Sequence, residues 1–198
     1  MSVTRHHEQQ LTGFTGGQVR ASAKSVLVVV AFASLLALSA QIKLFLPGTP
    51  VPVTMQTAVV LLCGFWLRPK LAFAAAATYL AMGWMVELTG LRLPLFAAWR
   101  AGVSTATAGF LLGFLPAAAC VSFVSRRLPR IDFGRAAAVG VFGTVIIFAC
   151  GLTWLSWLTG SVETALQHGF YPFALWAVVK IAIVAALVQL TPQHWLKS

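Results

Sequence analysis

Long apolar segments separated by short polar connections follow one another along most of the chain. A membrane hydrocarbon core about 30 Å thick needs roughly 20 apolar residues in a helix to cross it. Each apolar segment is therefore predicted to form one membrane-crossing helix. The six segments are residues 25–42, 53–67, 71–88, 102–124, 136–158 and 171–190.

The composition agrees with this pattern and leaves little chain for a soluble domain. Of the 198 residues, 59% are hydrophobic and only 9% are charged, whereas a soluble domain usually carries about 25% charged residues. We therefore predict an all-α integral membrane protein with six transmembrane helices. The helical domain is expected to span residues 25–191, between polar tails at residues 1–24 and 192–198.

Basic residues concentrate in alternating connections between the predicted helices. One side carries Arg5, Arg20, Lys24, Arg68, Lys70, Arg126, Arg127, Arg130, Arg135 and Lys197. The other side carries only Lys43, Arg92 and Arg100. Because cytoplasmic loops are enriched in Lys and Arg, both chain ends are predicted to be cytoplasmic. The basic residues that produce the net charge of +10 thus lie at helix ends, where they can contact anionic lipid headgroups. No nucleic-acid partner is expected.

Lys180 stands in the middle of the last apolar segment. A lysine at the centre of a bilayer costs about 2.5–3.5 kcal/mol on insertion scales, so its ammonium should face a partner or a polar cavity. Its neighbours on the same helix face include no acid. Contact with a ligand is favoured, while snorkelling and a structural bond to a carbonyl of another helix stay open.

A second polar group, Thr54-Met55-Gln56-Thr57, lies at the start of the second apolar segment. The amide of Gln56 carries two donors and two acceptor sites, enough to bind an amide or ureido group of a ligand. Threonine and glutamine also bond to their own backbone or to neighbouring helices. A packing role for this group therefore stays open.

Small residues recur four positions apart on two of the predicted helices. The pairs are Ala33 with Ala37, and Gly109 with Gly113. Such spacing allows helices to approach closely. Packing inside the chain is the default interpretation, and docking onto another membrane protein is the more specific hypothesis.

Motifs for catalysis and for nucleotide binding are missing from the sequence. There is no P-loop, no His-Glu-x-x-His pattern, and no Ser, His and acid set inside the spans. The chain has only four acidic residues, and none is placed for proton coupling through an intramembrane carboxylate. If transport needs energy, that energy must come from another protein.

Several strings lie in order between about residues 25 and 190. The most specific is PVPVTMQT at residues 50–57. The others are YLAMG at 79–83, LPLFA at 93–97, AGFLLGF at 108–114, and Pro172-Phe173 followed by Lys180. Together they resemble the BioY family, the biotin-specific substrate-binding subunits of energy-coupling-factor (ECF) vitamin transporters.

This resemblance implies a fold, a ligand and a set of partners. The fold would be an ECF S-component-like bundle in the bacterial cytoplasmic (inner) membrane, with biotin as the transported ligand and no cofactor. The partners would be a transmembrane coupling subunit and two ATPase subunits, so the chain would be a transporter subunit and not an enzyme. Ala33 and Ala37 would contact the coupling subunit. Association of several copies of the chain stays open.

Roles for individual residues are assigned on this resemblance. Lys180 is expected to pair with a polar end of biotin, and Gln56 and Thr54 to hydrogen-bond its other polar atoms. Arg100 is expected to attract the carboxylate at the entrance. The aromatic side chains expected to enclose the apolar part of the ligand are Tyr79, Phe96, Phe173 and Trp176.

One position departs from the family's pattern. The last helix of the family usually carries an Asp three residues before the lysine, and Ala177 occupies that position here. The change removes an acceptor for ureido N–H groups. The alternative hypothesis is therefore an S subunit of the same fold for another small vitamin or a biotin precursor. A structural membrane subunit is an alternative of a different class.

Overall fold

The computed structural model describes residues 23–44, 53–90, 106–193 and 196, and these ranges are almost entirely helical. The elements are helix α1 Ala23–Ser39, strands β1 Lys43–Leu44 and β2 Val53–Thr54, and helices α2 Gln56–Trp66, α3 Pro69–Thr89, α4 Ala108–Arg127, α5 Phe133–Thr159, α6 Val162–Gly169 and α7 Tyr171–Leu190. Each of the six predicted segments contains one helix, and α6 is additional.

Four of these helices, α3, α4, α5 and α7, are long and apolar enough to cross a membrane by length and composition. Helices α1 and α2 are apolar but shorter. The prediction of an all-α, multi-pass membrane protein is therefore confirmed. By this criterion the described residues hold four candidate spans, fewer than the six predicted.

Helix α6 was not predicted, because its eight residues, half of them polar, lie between two apolar segments. They are too few to show the spacing of apolar residues that is typical of a helix. Gly160 ends α5 with a φ of 69°, a left-handed conformation that glycine adopts without strain. Ser161 then starts α6, and its side-chain oxygen accepts a hydrogen bond from the Thr164 backbone N–H at 3.2 Å. A serine in this position stabilises a helix start. The chain thus turns from one helix into the next within two residues.

The second apolar segment begins as a strand and not as a helix. Leu44 pairs with Val53, and Lys43 with Thr54, in an antiparallel two-stranded hairpin. The Met55 backbone N–H then donates to the Ile42 carbonyl at 3.2 Å. Helix α2 starts only at Gln56 and has 11 residues. It is therefore much shorter than a membrane-crossing helix.

Glycines allow α4 and α5 to pack closely. A Cβ added to Gly109 would overlap Trp154 of α5, and a Cβ added to Gly151 would overlap the Phe110 ring of α4. At Gly113 the added atom would lie 3.0 Å from the Cβ of Cys150. The small-residue spacing on α4 therefore serves packing inside the chain.

The small residues of α1 are also used internally. Ala33 and Ala37 are fully buried, in a cluster that includes Val60 of α2 and Ala76 of α3. In this packing neither side chain is presented to a second protein. The contact with a coupling subunit that the family resemblance implied stays a prediction, and the packing of α1 gives it no support.

Gly151→Ala is expected to lower the free energy of unfolding by about 1–3 kcal/mol, the usual cost of overpacking a filled core. The Phe110 ring cannot easily move away, because it packs edge-on against Phe148 with the ring centroids 6.1 Å apart. The control is Gly134→Ala, where the nearest atom to the added Cβ is an Asp132 carboxylate oxygen at 3.6 Å. Thermal unfolding of both variants in detergent provides the measurement, and equal losses would contradict this account of the α4–α5 contact.

Candidate functional site

Lys180 lies about halfway along α7 and is buried, with 7% of its surface exposed. Its ammonium Nζ donates a hydrogen bond to the Thr57 hydroxyl of α2 at 3.0 Å. An ammonium group has three donors, and this is the one hydrogen bond that the described residues give it. Two donors are therefore left for a ligand, for water, or for residues outside the described ranges.

The contact with Thr57 also fixes the depth at which α2 starts. At 1.5 Å per residue, 11 residues extend about 16 Å, roughly half of a 30 Å hydrocarbon core. At the other end of α2, the Trp66 indole N–H donates to the Thr191 hydroxyl at 3.2 Å. Helix α2 thus runs parallel to the C-terminal half of α7. Its first turn lies level with the middle of that span.

The hairpin formed by β1 and β2 consequently leads into α2 at about mid-span depth. Non-helical backbone at that depth is tolerated only where it is buried in protein or lines a polar cavity. Met55 precedes α2 without a side-chain cap, and the start of a helix carries partial positive charge on its unbonded N–H groups. The helix start and the Lys180 ammonium are therefore neighbours. Together they suit an electron-rich group such as a carboxylate or a urea oxygen.

Gln56 is buried beside this point and is held by three other parts of the chain. Its amide nitrogen donates to the Tyr79 hydroxyl of α3 at 2.6 Å and to the Leu36 carbonyl of α1 at 3.5 Å. Its oxygen accepts a hydrogen bond from the Thr54 hydroxyl at 3.2 Å. Both amide hydrogens are thus used inside the chain, and one acceptor site of the oxygen is left for a ligand.

Tyr79 is buried next to Gln56, and its hydroxyl accepts a hydrogen bond from the Gln56 amide. That its ring lines the apolar part of a ligand stays a prediction. The Gln56 side chain therefore ties α1, α2 and α3 together. We call the group formed by Thr54, Gln56, Tyr79 and the Leu36 carbonyl the glutamine tie.

The family model for the "BioY family" matches residues 9–196. The chain belongs to the BioY family. Among its relatives, the biotin transporter BioY of Thermotoga maritima is 32% identical over 162 residues, which cover 80% of this chain and 89% of that protein. The biotin transporter BioY of Rhodobacter capsulatus is 33% identical over 149 residues, 69% of this chain and 72% of that protein.

A solved structure has the same fold as this BioY-family chain. It is the crystal structure of the S-component for biotin from an ECF-type ABC transporter. The two superpose with a TM-score of 0.71 at 17% identity, over 86% of this chain and 91% of the other. At this low identity the match establishes the architecture, and the residues of the site have to be argued from this chain.

Of the remaining site residues predicted from the BioY resemblance, the structure describes Phe173 and Trp176. Phe173 is buried in a cluster with Val53, next to Thr54 of the glutamine tie. Trp176 lies on α7 one turn before Lys180 and is 36% exposed. Phe96 and Arg100 lie outside the described residues. The structure therefore brings Phe173 near the start of α2 and leaves Trp176 at the bundle surface.

Thr57 belongs to the polar group that the sequence singles out and ends the PVPVTMQT string of this BioY-family chain, but no role at the site was predicted for it. Its importance depends on which residue of α2 faces Lys180, 123 positions further along the chain. A hydroxyl acceptor near a buried lysine was a detectable signal only once the start of α2 was known. The Leu36 carbonyl is a backbone group, so no residue type marked it in advance.

Proposed function

We propose that this chain captures biotin for uptake across the membrane, as the substrate-specific subunit of an ECF-type importer. The names of the two relatives and the fold of the solved S-component support this proposal. The observation that carries it within this chain is the meeting of the Lys180 ammonium with the start of α2, about halfway along a membrane-spanning helix. A charged side chain at this depth in a bilayer is costly, so binding of a ligand is the default explanation for its presence.

In this proposal the ligand lies against the start of α2 from the side of the hairpin. Lys180 donates to a polar end of biotin, either its ureido oxygen or its carboxylate. The free acceptor site of the Gln56 oxygen receives a ureido N–H group. Phe96, Phe173 and Trp176 line the apolar ring and chain, and Arg100 attracts the carboxylate at the entrance, as the family resemblance implies.

The proposed partners supply what the chain does not carry. No nucleotide-binding motif occurs in the sequence, so the energy for release into the cell would come from two ATPase subunits through a transmembrane coupling subunit. The chain itself would be no enzyme and would use no cofactor. Co-purification from native membranes tests these partners, and it would also reveal association of several copies.

The proposed topology has six crossings with both chain ends in the cytoplasm of a bacterial cell. Four helices of the described ranges are long enough to cross the membrane by themselves. Helix α1 would form a fifth crossing, and the hairpin together with α2 would form the sixth. The cations of the α2–α3 and α4–α5 connections lie at one end of the bundle, while Glu87 and Glu163 lie near the other ends of α3 and α5. This charge distribution supports the orientation. Residues 25–191 would form the transmembrane domain between tails at 1–24 and 192–198.

A binding panel tests the proposal against the alternative of another small vitamin, which Ala177 keeps open. Purified protein is heated with biotin, desthiobiotin, thiamine or riboflavin. At 1,000 times its Kd, a specific ligand should stabilise the folded protein by about 4 kcal/mol. We expect biotin to raise Tm most and desthiobiotin to follow, because both contain a ureido group. A larger rise with thiamine or riboflavin would select the alternative, and no rise with any of the four would favour a structural subunit.

A further inference from the structure

A dense group of cations lies at the end of the bundle where α2 and α4 end. We call this group the basic end: it consists of Arg68, Lys70, Arg126, Arg127, Arg130 and Arg135. Some of these cations lie near the α2–α3 connection and the others near the α4–α5 connection. Ser122 of α4 joins the two sets: its hydroxyl donates to the Leu67 carbonyl and accepts from the Arg126 Nε at 3.4 Å. The α2–α3 and α4–α5 connections are therefore neighbours in space.

The acid within the basic end is already engaged. Asp132 caps the start of α5 by accepting a hydrogen bond from the Arg135 backbone N–H at 2.9 Å. Its other carboxylate oxygen lies 3.4 Å from the Arg135 guanidinium. Among the described residues of the two connections it is the one acid beside six cations. The basic end consequently carries a large excess of positive charge.

Exposed aromatic rings adjoin these cations. The Arg127 guanidinium carbon lies 3.7 Å from the centroid of the Phe123 ring, and 48% of the surface of Phe123 is exposed. Phe133, at the start of α5, is 44% exposed. A guanidinium held over an exposed ring, where an apolar helix ends, presents a charged face and an apolar face side by side.

We propose that Arg127, Arg130 and Phe123 form a binding site for one anionic phospholipid. The lipid phosphate contacts the two guanidinium groups, and an acyl chain lies along the Phe123 ring toward the apolar surface of α4. Guanidinium groups bind phosphate through paired hydrogen bonds. An acidic protein segment would match the cations but would leave the ring without an apolar partner. A phospholipid matches both, so the combined charge and apolar exposure favour it.

The test is lipid binding to the full-length protein, measured by native mass spectrometry. Phosphatidylglycerol and phosphatidylcholine with the same acyl chains are titrated separately. Each cation near an anionic membrane surface contributes about fivefold in affinity. Arg127→Gln should therefore weaken phosphatidylglycerol binding about fivefold, and Arg127→Gln with Arg130→Gln about 25-fold. Phosphatidylcholine binding should change little in either variant.

Three further measurements separate this site from its competitors. Lys43→Gln removes the same charge from the hairpin, away from the basic end, and should leave phosphatidylglycerol binding unchanged. Arg127→Lys keeps the charge but loses the paired hydrogen bonds, so it should weaken phosphatidylglycerol binding less than Arg127→Gln does. This intermediate result guards against a folding defect in Arg127→Gln. Equal losses in Lys43→Gln and Arg127→Gln would overturn the proposal. Displacement of the lipid by glycerol phosphate or polyglutamate at equal concentration would overturn it as well, in favour of a free phosphate site or an acidic protein partner.

Discussion

Lys180→Met is expected to weaken biotin binding ten- to hundredfold while leaving the protein at least as resistant to heat as before. A hydrogen bond to a charged group contributes about 1.5–3 kcal/mol, which corresponds to that range of affinity. The folded protein without ligand should not suffer, because methionine has a similar length and removes a charge that costs about 2.5–3.5 kcal/mol to insert. Affinity and stability therefore change in different directions.

This divergence distinguishes a ligand-binding lysine from a structural one. If Lys180 served mainly to hold α7 against α2 through Thr57, its replacement would lower Tm and would affect biotin only as far as the fold is damaged. Thr57→Val, which removes the hydroxyl and keeps the shape, measures the contribution of that single contact. Lys43→Met in the hairpin is the control for loss of a lysine at an exposed position. Unchanged biotin affinity in Lys180→Met would refute the assignment of this residue.

The sequence was sufficient to single out Lys180 and Gln56 as polar residues inside apolar segments, because such residues are costly in a membrane and therefore few. Both are buried, and their contacts with a ligand stay predictions. It was also sufficient to place all the long helices, since each apolar segment has a length and composition that a helix in a bilayer requires. Both inferences depend only on local composition. They needed no knowledge of which helices touch.

The start of α2 was predicted three residues too early for a physical reason. Val53 and Thr54 are β-branched residues, which fit a strand at least as well as a helix. Their partners Lys43 and Leu44 lie earlier in the chain, after the first apolar segment. Only the pairing between the two strands therefore decides whether Val53 and Thr54 form a strand or the start of a helix. That pairing delays the start of α2, so α2 extends over only about half of the membrane. The depth of the site depends on this short length.

The role of Tyr79 shows the same limit. A tyrosine inside an apolar segment is equally suited to line a ligand or to bond another helix. The interhelical bond is made with Gln56, which lies 23 positions away and uses both of its amide hydrogens inside the chain. Pairwise contacts between helices therefore decide which polar residues remain available to a ligand.

Gln56→Leu is expected to lower the free energy of unfolding by about 2–3 kcal/mol, since it removes three hydrogen bonds of about 1 kcal/mol each. Tyr79→Phe removes one of them and should cost about 1 kcal/mol. The double variant should be less destabilised than the sum of the two single variants, with a coupling of about 0.6–1.7 kcal/mol as for other interhelical hydrogen bonds in membranes. Gln41→Leu is the matched control, because this glutamine is exposed, follows the end of α1, and donates from its amide to the nearby Ala37 carbonyl at 3.4 Å.

The same variants decide whether Gln56 acts on the fold or directly on the ligand. If the glutamine tie sets the position of the first turn of α2, Gln56→Leu weakens biotin binding together with the loss of stability, and Tyr79→Phe does both to a smaller extent. If Gln56 serves only as a ligand contact, Gln56→Leu abolishes binding at nearly constant Tm and Tyr79→Phe has little effect. Because both amide hydrogens already have acceptors on α1 and α3, we expect the first result, with Lys180 as the principal contact to biotin and the Gln56 oxygen as a weaker second contact.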